Sequence, residues 1–500
     1  MCGICGQISF CRNLEEYEDY FFNMQNALLR RGPDQHGEYF SPEAVLMHRR
    51  LAVIDIERGK QPMTYAVGNE TFTICYNGEL YNTLEIRNRL ESRGYNFFSS
   101  SDTEVVLKAY CEYGEECVDL FNGIFAFGVW EHSRKRLFLA RDRMGVKPLF
   151  FSMAESGLVF ASEIKALLEH PEIDAVMDIN SLAEIMLLGP GRTPGCGVFK
   201  GIEELKAGEC AFYNKNGLKI KKYWEIKAKE HTDDFETTVE TVKFLVTDSI
   251  RRQLVSDVPL GTFLSGGLDS SIISSVVNET FRREGKTLHT FSVDYEDNDK
   301  FFRTSRFQPN SDAEYIRLMA DYLDSKHHRL VIRTDDLTDA LFSAVDARDL
   351  PGMADVDSSM LLLCKSIREQ VTVALSGECA DEIFGGYPWY RNKEIRDTDG
   401  FPWAQSTKYR FSFLEDEFAS MMNPDDFVYS RYKNTVLSAP KLCNANTDDA
   451  RMSEMMKLNL DWFMQTLLDR KDRMSMYSSL EVRVPFCDHR IVEYLYNVPW

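Results

Sequence analysis

A short apolar run, VPLGTFL (258–264), passes into SGGLDSS (265–271), then a helical stretch that stops at Gly285, then a second apolar run, TLHTFSVDY (287–295). Strand, glycine loop, helix and strand in that order make a βαβ unit, so the second half of the chain is expected to be an α/β domain with a parallel sheet. A second strand-to-loop junction of the same kind is VTVALSGECADEIFGGY (371–387).

The first loop has the chemistry of a phosphate cradle. Gly266 and Gly267 let the backbone approach an anion, and Ser265, Ser270 and Ser271 add hydroxyls at a helix start, where free N–H groups and the helix dipole favour negative charge. The lysine of an ordinary P-loop is missing. A plain tight turn would explain the glycines but not three serines and Asp269 at one helix N-terminus. The second junction brings Glu378, Asp381 and Glu382 to a strand end, where parallel sheets bind ligands; a surface acidic loop is its plain alternative.

The first two hundred residues alternate short β-rich runs with turns: FTICYNGELYN (72–82), IFAFGVW (124–130), LFLARD (137–142) and LVFAS (158–162). SDTEVVLKAYCEYG (101–114) has apolar residues at helical spacing and a glycine stop. This half is expected to be α+β. The polar stretch 215–234, with its Asn-Gly turn, reads as the crossing between domains. A long helix should follow, with Asp233 and Glu236 as a capping box and Phe235, Val239, Val242, Val246, Ile250 and Leu254 on one face.

Composition narrows the function. Among 500 residues, Lys and Arg number 58 against 78 Asp and Glu, a formal charge of −20, which disfavours a nucleic-acid partner. There is no apolar run long enough to span a bilayer and no basic-then-apolar leader in the first twenty residues, so a cytoplasmic protein is expected. The twelve cysteines read mostly as buried, reduced thiols, and with only one C-x-x-C pair a zinc site is not expected.

MCGICG, at the start, allows three readings. Cys2 is half of a pair with Cys5, or incidental, or, once Met1 is removed, an N-terminal residue that acts through its own amine. Several segments bear on the choice: RRGPDQHG (30–37), HRRLAVID (48–55), YNGELYN (76–82) and SSSDTEVV (99–106). With MCGICG they resemble class II glutamine amidotransferases, and SGGLDSS resembles the pyrophosphate loop of ATP pyrophosphatases. The whole chain resembles glutamine-hydrolysing asparagine synthetases, a match that extends through DRKDRMSMYSSLEVRVPFCDHRIVEYL (469–495).

The resemblance implies a layered αββα N-terminal-nucleophile glutaminase domain at 2–214, a linker at 215–234 and an ATP-pyrophosphatase-type synthetase domain at 235–500. Relatives continue past Pro499-Trp500 into a basic segment, so a truncated synthetase domain is expected. Cys2 would be the nucleophile, with the Asn77 side chain and the Gly78 N–H as its oxyanion hole. Arg50, Leu51, Val53, Asn77, Gly78, Glu79 and Asp102 would bind glutamine, Arg50 through the α-carboxylate and Asp102 through the α-ammonium. Cys5 would be structural.

For the second site, Leu264, Ser265, Gly266, Gly267, Asp269, Ser270, Val293, Ser376 and Gly377 would contact ATP. Asp269 and Asp381 would hold Mg²⁺, and Glu378 would serve adenylate formation. Arg473, Glu481 and Arg483 would form a supporting ion-pair network, and Cys379-Ala380 departs, tolerably, from the usual Gly-Ser. The implied substrates are glutamine, aspartate and ATP, in a protein whose relatives are often homodimers. A sister enzyme amidating another carboxylate, such as a peptidoglycan precursor, stays open. Intact Cys2 and SGGLDSS speak against a non-catalytic binding protein, and the acidic charge against a tRNA-modifying one.

Overall fold

The computed structural model describes residues 2–304, 310–404 and 407–500. Twelve strands build the N-terminal half: β1 (Cys2–Ile8), β2 (Gln35–Phe40), β3 (Ala44–Arg50), β4 (Met63–Val67), β5 (Glu70–Leu80), β6 (Gly123–Glu131), β7 (Arg136–Arg141), β8 (Phe150–Ala154), β9 (Gly157–Ala161), β10 (Ile202–Glu204), β11 (Glu209–Asn214) and β12 (Gly217–Lys222). They form two six-stranded sheets, ordered β10-β8-β9-β1-β3-β2 and β12-β11-β7-β6-β5-β4.

Alternation along the strands explains the layering. Ile4 and Ile8 of β1 meet Cys75 of β5, Ala126 of β6 and Leu139 of β7 between the sheets. Cys5, Val45 and Met47 point the opposite way, under helices that contribute Phe21, Met24, Ile164 and Leu167. On the far side of the second sheet, Ile74, Tyr76, Phe125 and Phe127 pack against Val105, Val106 and Tyr110 of the helix Asp102–Tyr113. This is the expected αββα arrangement, because each sheet buries both faces.

The C-terminal half carries five parallel strands, β13 (Leu260–Phe263), β14 (His289–Tyr295), β15 (Lys326–Ile332), β16 (Val373–Leu375) and β17 (Glu481–Arg483), ordered β15-β14-β13-β16-β17. The order reverses direction between β13 and β16, so the loops after those two strands open a crevice at the carboxyl end of the sheet, near its middle. One apolar core joins the halves: Leu51, Val53, Ile124 and Met144 of the first pack with Ile250, Ile273, Leu375, Met464 and Leu468 of the second. Among the described residues no helix is long and apolar enough to cross a membrane.

Four local expectations differ from what is observed. β12 lies inside the stretch read as a linker and pairs with β11 through the Asn-Gly turn, so the crossing starts after Lys222. The cap of the helix Phe235–Arg252 is Asp234, which accepts from the Thr237 N–H at 2.8 Å, while Asp233 accepts from the Tyr494 hydroxyl. Of its apolar stripe, Val246 and Ile250 are buried but Phe235 is 82% exposed, because the buried residues of this helix all lie in its C-terminal half. Finally, Cys379 is not a free thiol: it forms a disulfide with Cys487, with the two Cα atoms 5.8 Å apart. The other ten cysteines are free.

Candidate active sites

Cys2 opens β1 directly opposite Arg50, the last residue of β3. Its N–H donates to Asn77 Oδ1 at 3.0 Å. Asn77 is fully buried on β5, and its Nδ2 has no partner among the described residues. An orphaned buried donor beside a thiol is the arrangement the expected oxyanion hole requires.

Strand parity supplies the second donor. The N–H groups of Tyr76 and Leu80 turn away from β6, to Gln61 Oε1 at 2.7 Å and Asp102 Oδ2 at 3.0 Å. Gly78 lies midway between them, so its N–H points to that same open edge. A Cβ on Gly78 would stand 2.3 Å from the Ile124 carbonyl oxygen, which only glycine avoids.

Burial pushes the Cys2 thiol above its ordinary value, with Arg50 and the Leu51 N–H pulling it back. A thiol so placed needs an adjacent base to ionise. Met1, whose removal would expose the Cys2 amine, lies outside the described residues. Cys5 is buried among apolar side chains, consistent with a packing role.

The expected glutamine contacts converge around this point in different states. Arg50 donates from both Nη atoms to the carbonyls of Ile54, Asp55 and Ile56 and to Gln35 Oε1, and so fastens the loop that holds Leu51 and Val53. Asp102 starts its helix and accepts from the Tyr76 hydroxyl at 2.9 Å as well as from Leu80. Its burial raises the carboxyl despite those donors. Glu79 is buried 3.5 Å from Arg483 Nη2, and burial together with the Glu481 charge drives its carboxyl well up.

In the crevice of the second half, Gly266 adopts φ +78°, and a Cβ there would come within 2.8 Å of the Ile316 nitrogen. Ser270 Oγ accepts from the Ser265 N–H at 3.1 Å and lies 3.0 Å from the Ser265 hydroxyl, holding the loop open above the helix Leu268–Arg283. Leu264 N–H bonds the Phe291 carbonyl, and Val293, farther along β14, packs against the cluster that holds Phe263 and Phe291. Across the crevice Ser376 and Gly377 follow β16, with the Gly377 Cβ position 3.1 Å from the Asp269 Cβ. The loops thus meet, as parallel neighbouring strands dictate.

Asp269 is raised to about 6 by burial and by the Asp381 charge, and Asp381 is raised by burial. Two carboxylates that resist ionising side by side suit a hard divalent cation that is also bound by phosphate oxygens. Among the described residues there is no cluster of three or more metal-ligating side chains. Glu378 accepts from the Ser376 hydroxyl and pairs with Lys471 Nζ at 3.0 Å. Burial alone would raise it, but Lys471 and Arg470 hold it below the usual carboxylate range.

The supporting charges form two clusters instead of one network. Arg473 bridges Glu163, Asp349 and Asp469, and Arg483 joins Glu481 at 2.7 Å and Glu79. Arg31, Lys147, Arg470, Lys471 and Asp472 were missed in the sequence. For Arg470, Lys471 and Asp472 the signal was a run of charges (DRKDR, 469–473) inside a helix that is otherwise buried, Met464–Tyr477; Arg31 and Lys147 carried none.

A profile of the glutamine amidotransferase domain matches residues 1–224, and one of asparagine synthase matches residues 241–500. Asparagine synthetase [glutamine-hydrolyzing] 3 of Bacillus subtilis strain 168 is 49% identical over 501 residues, spanning 100% of this chain and 81% of the relative. Asparagine synthetase [glutamine-hydrolyzing] 1 of the same organism is 30% identical over 533 residues, again spanning 100% of this chain and 81% of the relative. Both matches run from end to end of a chain that carries the two sites just described, and the chain belongs to the family of glutamine-hydrolysing asparagine synthetases.

Proposed function

We propose that this chain converts aspartate to asparagine, taking nitrogen from glutamine and releasing glutamate, AMP and pyrophosphate. The observation that carries this reading is the pairing, in one molecule with one shared core, of a buried Cys2–Asn77 site and a Ser265–Asp269 phosphate crevice.

With Met1 removed, the Cys2 amine would accept the thiol proton, and Asn77 Oδ1 would hold that amine. A free α-amine near pKa 8 is matched to this task. Sγ adds to the carboxamide carbon of glutamine while Asn77 Nδ2 and the Gly78 N–H take up the oxyanion charge. Ammonia leaves, and water then cleaves the thioester to glutamate.

In the second half the aspartate β-carboxylate attacks the α-phosphorus of ATP and pyrophosphate departs into the 264–267 loop. Glu378 orients the acceptor. Ammonia then attacks the acyl carbon and AMP leaves. Asp269 and Asp381 are the residues that would hold Mg²⁺, whose contribution when bound is to offset the charge on the leaving pyrophosphate.

The test uses protein whose mature N-terminus is confirmed by mass, incubated with ATP, Mg²⁺ and glutamine against aspartate and a panel of other carboxylates. Asparagine and pyrophosphate formed only with aspartate is the expected result. Glutamine hydrolysis with no pyrophosphate on aspartate would move the acceptor to another carboxylate.

A further inference from the structure

Lys471 has no role in the scheme so far, yet it reaches three elements of the synthetase site. It is 3% exposed. Its Nζ stands 3.0 Å from Glu378 Oε1, 4.2 Å above the Phe263 ring and 3.3 Å from the Met360 sulfur. Phe263 ends β13, just before the phosphate loop, and Met360 lies on the helix Asp355–Arg368.

Glu378 is thereby held at both oxygens. Ser376 donates to Oε2 and Lys471 to Oε1, so the carboxylate cannot rotate without breaking one of two charge-assisted bonds. Arg470 reaches the same Oε1 only at 3.6 Å, beyond hydrogen-bond distance, and does not replace Lys471. Stability alone is a poor reason for such a pair, because a buried ion pair contributes little more than the apolar residues that could replace it. Placed beside reacting groups, it serves geometry.

We propose that Lys471 is a positioning residue for adenylate formation, fixing the orientation of the Glu378 carboxylate from the helix Met464–Tyr477. The inference rests on the reading of Glu378 given above. It requires no contact between Lys471 and substrate.

The experiment measures aspartate-dependent ATP–pyrophosphate exchange for wild type, K471M, K471R, E378Q and K471M/E378Q, with glutaminase activity of the same preparations as the report of folding. K471M should lower kcat about 100-fold with KM for ATP unchanged, the size expected when a reacting group is misplaced by about an ångström. K471R, which keeps the cation, should recover most of that loss. In the E378Q background K471M should change kcat by less than about threefold, since the two residues act as one unit.

Wild-type exchange in K471M together with loss of exchange in E378Q would overturn the role of Lys471 alone. A loss in K471M confined to KM for ATP would overturn it too. Intact exchange in E378Q would instead remove the assignment of Glu378 on which the inference stands. If K471M loses its glutaminase as well, K471R and the double variant decide, because neither leaves a buried carboxylate unpaired. A K471R as inactive as E378Q, or a further large drop in the double variant relative to E378Q, then counts against the proposal.

Discussion

Arg31 and Asp472, 441 residues apart, meet at 2.8 Å across the boundary between the two halves. Arg31 Nε also donates to the carbonyl of Cys2 at 3.0 Å, and its Nη1 to Glu163 at 2.9 Å. Lys147 completes the cluster, 2.7 Å from Asp472. One helix therefore faces both candidate sites: Lys471 turns to Glu378, and Asp472 turns to Arg31, which holds the backbone of Cys2. Arg31 is buried, so R31M strands part of the charge of Asp472 and Glu163 and should cost about 3–5 kcal/mol. Denaturant unfolding checks this, and a loss near that of an exposed pair would contradict it.

Asn77→Ala removes the buried amide and Gly78→Ala forces a Cβ against the Ile124 carbonyl. Each should lower glutaminase kcat by about 10²–10³, the usual worth of an oxyanion donor. Synthesis from added ammonia should be spared in both, as it should in Cys2→Ala. Steady-state assays with the two nitrogen donors separate these outcomes, and equal loss with both donors would refute two separable sites.

Asp269→Asn should abolish pyrophosphate release with either nitrogen donor while leaving glutamine hydrolysis in place. Retained exchange would take Asp269 out of the cation site.

His48 supplies a pH signature. Its Nε2 lies 3.1 Å from the Tyr76 carbonyl, and burial lowers the ring to about 3 from an ordinary 6.5. The unfolded chain therefore binds a proton that the folded chain refuses between those values. Stability from this group is full above pH 6.5 and is lost progressively as the pH falls toward 3. His48→Gln should flatten that part of a Tm-against-pH curve. An unchanged slope would show that the His48 ring binds its proton equally well in the folded and unfolded chain.

The Cys379–Cys487 bond predicts a cross-linked peptide pair in a non-reducing digest. Alkylation of the unfolded protein should label the other cysteines and leave these two unlabelled until a thiol reductant is added. Labelling of Cys379 without reductant would show the pair to be open.

The elements that carry the chemistry were legible because they are local. SGGLDSS between two apolar runs announces strand, cradle and helix, and the short β-rich runs between turns in the first half announce strands. The glutamine-binding set was legible only as a group of motifs. What they did not disclose is that Arg50 spends its Nη atoms on its own loop. β12 was read as a linker because its alternation is polar, as an edge strand's often is.

Spacing within a few turns of chain set the βαβ unit, its glycine- and serine-rich loop and the order of the halves, while the glutaminase chemistry and its residues were legible only through the resemblance of their motifs. Which distant side chains meet is a matter of tertiary packing. Arg31 with Asp472, Lys471 with Glu378, Arg483 with Glu79 and Cys379 with Cys487 are separated by 441, 93, 404 and 108 residues. No periodicity encodes such pairs. The three ion pairs exist because burial makes an unpaired charge costly, and the packed core brings the 464–477 helix within reach of both sites.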